Sequence, residues 1–358
     1  MQFNFLKIKS PPLVGVDISS TAIKLVEFSD DGRGRRCVER YAIEPLTKDA
    51  VVEGNIANID EVADVLRRAW ERMGSHAKHV ALALPAAAVI TKKIILPADL
   101  SDDEMEIQVE AEANQAIPFA LDEVNLDFQV LNPVPNSTSD VEVLIVASRK
   151  EKVEDRVAVA EAAGLKVLVM DTEFNASQTA YEAMQYVLPD AGKGQTVALI
   201  DIGAVAMHIM VFVNNLMVYS REQSFGGNQL TLEIQRRYGM PFDDAEKAKR
   251  KGNLPENYAL EILEPFTEML ALEISRALQL FFNSTSYIKV DHVVLAGGCA
   301  LLPGLDEAVA TRVEVSTLIA NPFVGMTLSA RVLAAKLAAD APALIVASGL
   351  AMRRFDSV

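Results

Sequence analysis

The feature that most constrains the fold is a strand–turn–strand segment that occurs twice in the chain. In residues 13–28 an apolar run reaches Asp17, small residues follow, and a second apolar run begins. Residues 197–212 repeat this pattern around Asp201. A short apolar run on each side of a turn predicts a β-hairpin. The repetition therefore predicts an internal duplication of the chain.

The first turn gathers groups that suit a phosphate and a metal ion. It holds a carboxylate, three hydroxyls and an amine, from Asp17, Ser19, Ser20, Thr21 and Lys24. Small turn residues let backbone N–H groups point inward as an anion-binding nest. A carboxylate at a strand end suits hydrated Mg²⁺, which needs few protein ligands. The alternative interpretation is an ordinary hairpin with a capped turn.

A third element, residues 292–304, is an apolar strand that runs into the pair Gly297 and Gly298 and then into a helix start. The three elements, in this order, resemble the actin-like ATPase superfamily, which includes actin, the heat-shock chaperone ATPases, MreB and FtsA. The resemblance covers nearly the whole chain. It implies an α/β actin-like fold, in which two duplicated ribonuclease-H-like halves enclose a nucleotide cleft.

The resemblance also implies ATP or ADP with Mg²⁺ as cofactors, held from opposite sides by the two hairpins. Asp17 and Asp201 would position the metal through water, and the glycine pair after residue 296 would hold the adenosine. The implied cofactor-binding residues are Gly15, Asp17, Ser19, Ser20, Thr21, Lys24, Asp201, Gly203, Ala204, Gly226, Gly227, Glu246, Lys249, Gly297, Gly298 and Leu302. The alternatives are turn-capping aspartates and a solvated strand-edge lysine.

The second hairpin departs from the family pattern Asp-x-Gly-Gly-Gly-Thr. Residues 201–206 read Asp-Ile-Gly-Ala-Val-Ala, so only Gly203 is kept and no hydroxyl follows. ATP binding is still expected, because backbone N–H groups do not depend on side chains. The missing hydroxyl predicts that hydrolysis is slow, if it occurs. Glu173 resembles the acidic residue that orients the attacking water in relatives, which makes it the candidate catalytic residue. A glutamate favoured by a helix dipole is the alternative.

Two later segments match the family more weakly. Glu246 and Lys249 resemble the Ala-Glu-x-x-Lys helix that contacts ribose and base, and a surface ion pair is the alternative. Gly226 and Gly227 would allow the backbone to approach the nucleotide, although turn geometry could also require them. His208 is interpreted as a core or face histidine on a strand.

Residues 88–166 have no counterpart after the second hairpin and are interpreted as an inserted α+β subdomain, as in FtsA. Its acidic helix ends in Ile117-Pro-Phe119, which resembles the PilM family of type IV pilus assembly. The predicted division is 1–87 (completed by 167–190 and 325–358), 88–166, 191–225 (completed by 266–324) and 226–265.

The PilM resemblance implies a cytoplasmic ATP-binding component of the inner-membrane pilus assembly platform, which supports twitching motility. It implies that the cytoplasmic N-terminal segment of PilN binds a groove near residues 117–119, and that nucleotide state is coupled to assembly. Other platform proteins and the assembly ATPases are further implied partners. The alternatives are a polymerising cytoskeletal ATPase and a small-molecule kinase, for which the inserted block is small.

The composition limits the remaining classes of partner. A net charge of −15 argues against nucleic acid or anionic lipid as the main partner. Cys37 and Cys299 lie far apart, which fits a reduced cytoplasm without a disulfide framework or a zinc site. With no leader and no uninterrupted apolar run of about 18 residues, we expect no direct membrane anchor.

Periodicity and capping signals predict the other elements. A capping box of Ser101 and Glu104 predicts the start of the acidic helix. The predicted helices are residues 58–73, 102–116, 151–163, 229–238, 241–251, 266–282 and 341–352. The predicted strands are residues 38–43, 80–85, 91–97, 126–131, 141–147, 166–170 and 216–221.

Overall fold

The computed structural model describes residues 11–30, 35–134, 137 and 139–356. Its strands are β1 (Leu13–Ile18), β2 (Ala22–Asp30), β3 (Arg36–Pro45), β4 (Val51–Val52), β5 (Asn55–Ile56), β6 (His79–Leu84), β7 (Ile90–Pro97), β8 (Val124–Pro133), β9 (Asp140–Arg149), β10 (Lys166–Thr172), β11 (Thr196–Ile202), β12 (Met207–Val213), β13 (Leu216–Gln223), β14 (His292–Ala296), β15 (Ser316–Ile319) and β16 (Thr327–Leu328). Its α-helices are α1 (Ile59–Met73), α2 (Asp102–Ala116), α3 (Lys150–Ala162), α4 (Glu173–Met184), α5 (Gly227–Tyr238), α6 (Phe242–Lys251), α7 (Glu264–Ser284), α8 (Leu305–Val313), α9 (Ala334–Asp340) and α10 (Ile345–Met352). Each predicted helix and strand is therefore confirmed, with small shifts of its ends.

The predicted duplication is confirmed by two sheets with one topology. The first sheet has the order β10-β6-β1-β2-β3-β16, and the second has the order β15-β14-β11-β12-β13. In each sheet the aspartate-bearing strand pairs antiparallel with the next strand and parallel with a later one. Asp17 lies opposite Lys24, and Asp201 lies opposite His208. The two halves therefore place their aspartates at the same point of the same architecture.

Side chains of β1 alternate between two helical layers, as the strand period requires. Val14 and Val16 pack with Leu66 of α1 in one core cluster. Leu13 packs on the opposite side with Leu350 of α10. Because both faces are covered, β1 is buried along its whole length. Asp17 follows the alternation onto the α10 side and ends only 4% exposed.

Gly15 is explained by the packing of α10 on β1. A Cβ atom at this position would overlap the carbonyl oxygen of Ala347 and lie 2.5 Å from the nitrogen of Ala351. Any side chain here would push the helix away from the sheet. The structure thus gives Gly15 a packing role inside the core, and its role in cofactor binding stays a prediction.

The C-terminal helical stretch is apolar because it is buried in the protein. Residues Ala334–Phe355 are long and apolar enough to cross a membrane by length and composition alone, but 67% of that window is buried. α10 packs against β1 and α4, and Gly349 contacts the backbone of Ala176 so closely that no Cβ atom would fit. This packing is that of a core helix within the described residues.

The inserted block forms a separate small unit. Its antiparallel sheet has the order β7-β9-β8 and packs against α2, which begins with the predicted capping box of Ser101 and Glu104. α3 instead contributes Val159 and Ala160 to the core of the first half. The residues of the inserted core therefore come from the part of the chain that begins with β7 and ends with β9. The domain boundaries themselves stay a prediction, and residues 1–10 of the first domain lie outside the described residues.

Candidate functional site

The candidate site begins with an ion pair at the first hairpin. The Lys24 Nζ atom donates to the Asp17 Oδ2 atom over 2.9 Å, and their side chains are 18% and 5% exposed. Burial alone would lower the pKa of Lys24, but the negative charges of Asp17, Asp201 and Glu173 raise it above its ordinary value. The ammonium therefore stays charged among three carboxylates, which come from β1, β11 and the start of α4.

Glu173 and Asp201 are the two other acids of this cluster. Glu173 follows Thr172, whose hydroxyl caps α4 by accepting from the Asn175 N–H group over 3.1 Å. Burial raises the pKa of Glu173 to about 7, against the opposing charges of His208 and Arg156. Burial also raises the pKa of Asp201. A carboxyl group with a pKa near 7 can hold or accept a proton at neutral pH.

His208 belongs to the same cluster and was missed as a site residue from the sequence. Its Nε2 atom lies 3.1 Å from Glu222 Oε2, and its Nδ1 atom lies 3.9 Å from Glu173 Oε2. Burial would lower the pKa of His208, but the hydrogen bond with Glu222 and the charges of Glu173 and Asp201 raise it to about 9. The signal was available, because the overlay of Asp201 on Asp17 also puts His208 on Lys24.

The hydroxyl groups of the first turn are not equally available to donate a hydrogen bond to a ligand. The Ser19 hydroxyl donates to the Ala22 carbonyl over 2.8 Å, so its proton is used within the turn. Ser20 and Thr21 have no side-chain hydrogen bond to another described residue, and both are half-buried. Of the three predicted phosphate donors, the structure therefore leaves Ser20 and Thr21 available, while Ser19 stabilises the turn.

The second turn is built from backbone contacts. The Gly203 carbonyl accepts from the Gly227 N–H group over 3.0 Å, and the Ala204 carbonyl accepts from Asn228 over 2.8 Å. A Cβ atom on Gly226 would lie 2.5 Å from the Gly203 oxygen. The glycines are therefore needed where this turn meets the start of α5. The Gly203 N–H group donates to the Ala206 carbonyl over 2.9 Å, so it too is satisfied within the protein.

The α6 residues predicted to contact ribose and base lie beside the start of α5. The Lys249 Nζ atom is 2.6 Å from Glu246 Oε2 and 2.7 Å from Thr231 Oγ1. It also donates to the Gly227 carbonyl over 3.3 Å. Burial would raise the pKa of Glu246, but Lys249 and the hydrogen bonds lower it. This is a half-buried network, in contrast to the exposed ion pair that was the alternative.

The double-glycine turn approaches the second hairpin. Gly297 has a φ of 82°, and a Cβ atom there would overlap the Ile202 carbonyl and the Asp201 carboxylate. Gly298 has open space on the side where its Cβ atom would point. The Cys299 thiol donates to the Gly203 carbonyl over 3.4 Å, and burial raises its pKa to about 11. Leu302 packs with the core of the second half.

The described residues contain no group of three His, Cys, Asp or Glu side chains that could hold a metal ion. Asp17 and Asp201 remain as a pair of oxygen donors whose charges act on each other. Two carboxylates are enough for a Mg²⁺ ion that keeps its waters. The donor chemistry thus fits hydrated Mg²⁺ and does not fit a closed zinc-type site.

A second feature is a groove of about 420 Å³ between the first half and the inserted unit. Pro118 and Phe119 line it, whereas Ile117 is 7% exposed and belongs to the inserted core. The Arg149 guanidinium lies 5.5 Å from the centre of the Phe119 ring, within range of a cation–π contact. The other lining residues are Glu53, Asn55, Ala87, Ala88, Ile90, Val124, Ala147, Ser148 and Lys152.

Comparison with known proteins bears on the family and the fold of the chain. A family model described as "Type IV pilus assembly protein PilM" matches residues 15–355. The chain is similar to a structure of the PilM–PilN type IV pilus biogenesis complex, with a TM-score of 0.82 and 25% identity over 98% of this chain and 100% of that chain.

Two further structures show the fold alone. One is the ethanolamine utilization protein EutJ from Carboxydothermus hydrogenoformans, with a TM-score of 0.58 and 18% identity over 96% of this chain and 89% of that one. The other is Ta0583, an archaeal actin homolog in complex with ADP, with a TM-score of 0.51 and 14% identity over 97% and 100%. The protein therefore has the actin-like ATPase fold.

Proposed function

Because the chain belongs to the PilM family of type IV pilus assembly proteins, we propose that it is the cytoplasmic, actin-like, nucleotide-binding component of the pilus assembly platform at the inner face of the inner membrane. Its two tasks are to hold a nucleotide between the duplicated halves and to bind a segment of PilN in the groove. The observation that carries the first task is the convergence of Lys24 with Asp17, Asp201 and Glu173 in one partly buried cluster.

We propose ATP or ADP with Mg²⁺ as the ligand of the cleft. Asp17 and Asp201 hold the hydrated metal ion, which neutralises phosphate charge when it is bound. Lys24, Ser20 and Thr21 contact the phosphates from the first half, since an ammonium and free hydroxyls are phosphate donors. Lys249, Glu246 and the turn at Gly298 lie on the nucleoside side.

Hydrolysis is expected to be slow in this cleft. Glu173 is the group that orients water, and its raised pKa lets it take a proton near neutral pH. The second turn has Ala206 where many relatives of the superfamily carry the threonine of Asp-x-Gly-Gly-Gly-Thr. The protein thus keeps a base and a metal pair but lacks a hydroxyl aid, which favours long-lived nucleotide states.

The proposed occupant of the groove is the cytoplasmic N-terminal segment of PilN, bound in extended form between subdomains. The support is the similarity to the PilM–PilN complex, together with a groove that has both apolar walls and charged rims. Phe119, which is 37% exposed, is the largest apolar side chain among the residues that line this groove. Arg149 and Lys152 supply positive charge at its edge.

The test is calorimetric titration of a synthetic peptide with the N-terminal sequence of PilN from the same organism. Phe119→Ala should weaken binding by about tenfold or more, because an aromatic anchor in a pocket contributes about 2 kcal/mol. Ile95→Ala is the matched control, since Ile95 is 60% exposed on the same small sheet and does not line the groove. Full affinity of a folded Phe119→Ala variant would exclude this groove as the PilN site.

A further inference from the structure

Arg156 is a buried arginine that forms no ion pair with any residue that the structure describes. It lies on α3 and is 1% exposed, the largest side chain among the fully buried residues. Within the described part of the chain, its hydrogen bonds all go to backbone carbonyl groups. The Nε atom donates to Ala83 over 2.9 Å, one terminal nitrogen donates to Gly54 over 2.8 Å, and the other reaches Lys152 over 3.5 Å.

A buried charge without a direct partner needs compensation from more distant charges. The negative charges that act on Arg156 are those of Glu173, Asp155 and Asp17. The effect is mutual, because Arg156 in turn opposes the raised pKa of Glu173. Glu173 and Asp17 are members of the cleft cluster. Any ligand that changes the charge of the cleft therefore changes the electrostatic energy of Arg156.

The carbonyl groups that accept hydrogen bonds from Arg156 belong to the wall of the groove or to residues next to it. Gly54 stands between Glu53 and Asn55, which both line the groove, and Lys152 lines it as well. Ala83 lies near the end of β6, just before the segment that contributes Ala87 and Ala88. One guanidinium thus ties both the β4–β5 turn and the end of β6 to α3. A displacement of Arg156 would displace these walls.

We propose that Arg156 transmits the charge state of the nucleotide cleft to the PilN groove. This inference rests on the proposed function, since it names the residue that couples the two sites. Coupling of this kind is reciprocal, so the nucleotide changes peptide affinity by the same factor as the peptide changes nucleotide affinity. Arg156 is a positioning residue, and neither ligand needs to touch it.

The experiment measures the dissociation constant of the PilN peptide with and without Mg²⁺ and a non-hydrolysable ATP analogue, for the whole chain. In the unmodified protein the two constants should differ by about fivefold or more. In Arg156→Lys, which keeps the charge but loses the fork of donors, the ratio should fall to within about twofold of 1. Circular dichroism confirms that the variant is folded.

Arg67→Lys is the matched control. The Arg67 guanidinium also donates to a backbone carbonyl of α3, that of Ala162 over 2.8 Å, but it is exposed on α1. This variant should keep the ratio of the unmodified protein. An unchanged ratio in Arg156→Lys would overturn the inference and leave the proposed function standing. A ratio of 1 in the unmodified protein would instead contradict the proposed coupling itself.

Hydrogen exchange of the unmodified protein gives a second readout that does not depend on the folding of a variant. Addition of Mg²⁺ and the ATP analogue should change exchange at residues 53–55, which lie in the groove wall and outside the cleft. Unchanged exchange at these residues, with the nucleotide demonstrably bound, would contradict the inference.

Discussion

The two hairpins place a cation opposite an aspartate at the same register, but they use different chemistry. In the first hairpin the partner of Asp17 is Lys24, and in the second the partner of Asp201 is His208. Lysine is charged at every physiological pH, whereas histidine titrates near neutrality. The Glu222 hydrogen bond and the neighbouring carboxylates raise the pKa of His208 to about 9, however. The first half therefore supplies a fixed positive charge, and the second half supplies one that is lost only as the pH rises towards 9.

The turns of the two hairpins also differ in the groups that they present. The first presents the hydroxyl groups of Ser20 and Thr21, at the positions where the second has Ala204 and Val205. The second turn instead packs its backbone against α5 and against the turn at Gly297. The two halves thus share one sheet topology, but the first turn presents polar side chains and the second turn makes close backbone contacts.

The largest expected effect comes from removing the fixed cation. Lys24→Met leaves the buried Asp17 without its ammonium partner, beside the half-buried Asp201 and Glu173, so the free energy of unfolding should fall by roughly 3–5 kcal/mol. Urea denaturation at pH 7.5 measures this. Lys92→Met is the control, because its pair with Glu112 is about 40% exposed and worth about 0–1 kcal/mol. Equal losses of unfolding free energy in the two variants would contradict the claim that Lys24 stabilises the carboxylate cluster.

The next effect concerns the packing of the second half. Gly297→Ala should lower the free energy of unfolding by roughly 2–3 kcal/mol, because its φ of 82° suits glycine and its Cβ atom would overlap Ile202. Gly298→Ala, one residue later, meets open space and should cost about 0.5 kcal/mol or less. Thermal denaturation of both variants compares them. A tolerated Gly297→Ala would show that the close approach of this turn to β11 is not required.

A smaller effect is the pH dependence that His208 introduces. Its pKa is raised to about 9, so the protonated ring stabilises the folded state fully below pH 6.5, and this contribution is lost as the pH rises towards 9. Relative to His208→Gln, the unmodified protein should lose on the order of 2 kcal/mol across that window. Urea denaturation at several pH values tests this. Parallel profiles of the two proteins would contradict the cluster assigned to His208.

The smallest effect separates the two turns directly. Replacing Ser20 and Thr21 together by alanine should weaken Mg²⁺·nucleotide binding by about tenfold, the equivalent of about 1.4 kcal/mol. Val205→Ala, at the position equivalent to Thr21, should change affinity by less than about twofold. Titration with a fluorescent ATP analogue provides both numbers. An equal response of the two turns would mean that the hydroxyl groups are not phosphate donors.

Most of the fold could be predicted because its strongest signals are local and repeated. The hairpins at Asp17 and Asp201 and the capping box of Ser101 and Glu104 are each encoded by a few neighbouring residues. The two-residue strands β4, β5 and β16 carry no period that a sequence can reveal. β16 pairs with β3 across nearly 300 positions of the chain, and such a pairing is set by tertiary packing alone.

The site was predicted less completely than the fold. Asp17, Lys24, Glu173 and Asp201 do share one cluster. His208 was overlooked because its neighbours on β12 are apolar, although the duplication already aligned it with Lys24. The sequence did not reveal the backbone packing of Gly15 and Gly226, which only the structure shows. Residue type and spacing cannot distinguish a glycine that approaches a ligand from one that approaches a helix.

The central claim is that the two hairpins together hold a Mg²⁺·nucleotide. The most direct measurement is titration with a fluorescent ATP analogue, with and without Mg²⁺, for the unmodified protein, Asp17→Ala and the exposed-acid control Asp64→Ala. We expect saturable Mg²⁺-dependent binding that is lost in Asp17→Ala and kept in Asp64→Ala. A folded protein that binds no nucleotide, or a folded Asp17→Ala variant that binds as well as the unmodified protein, would contradict the claim.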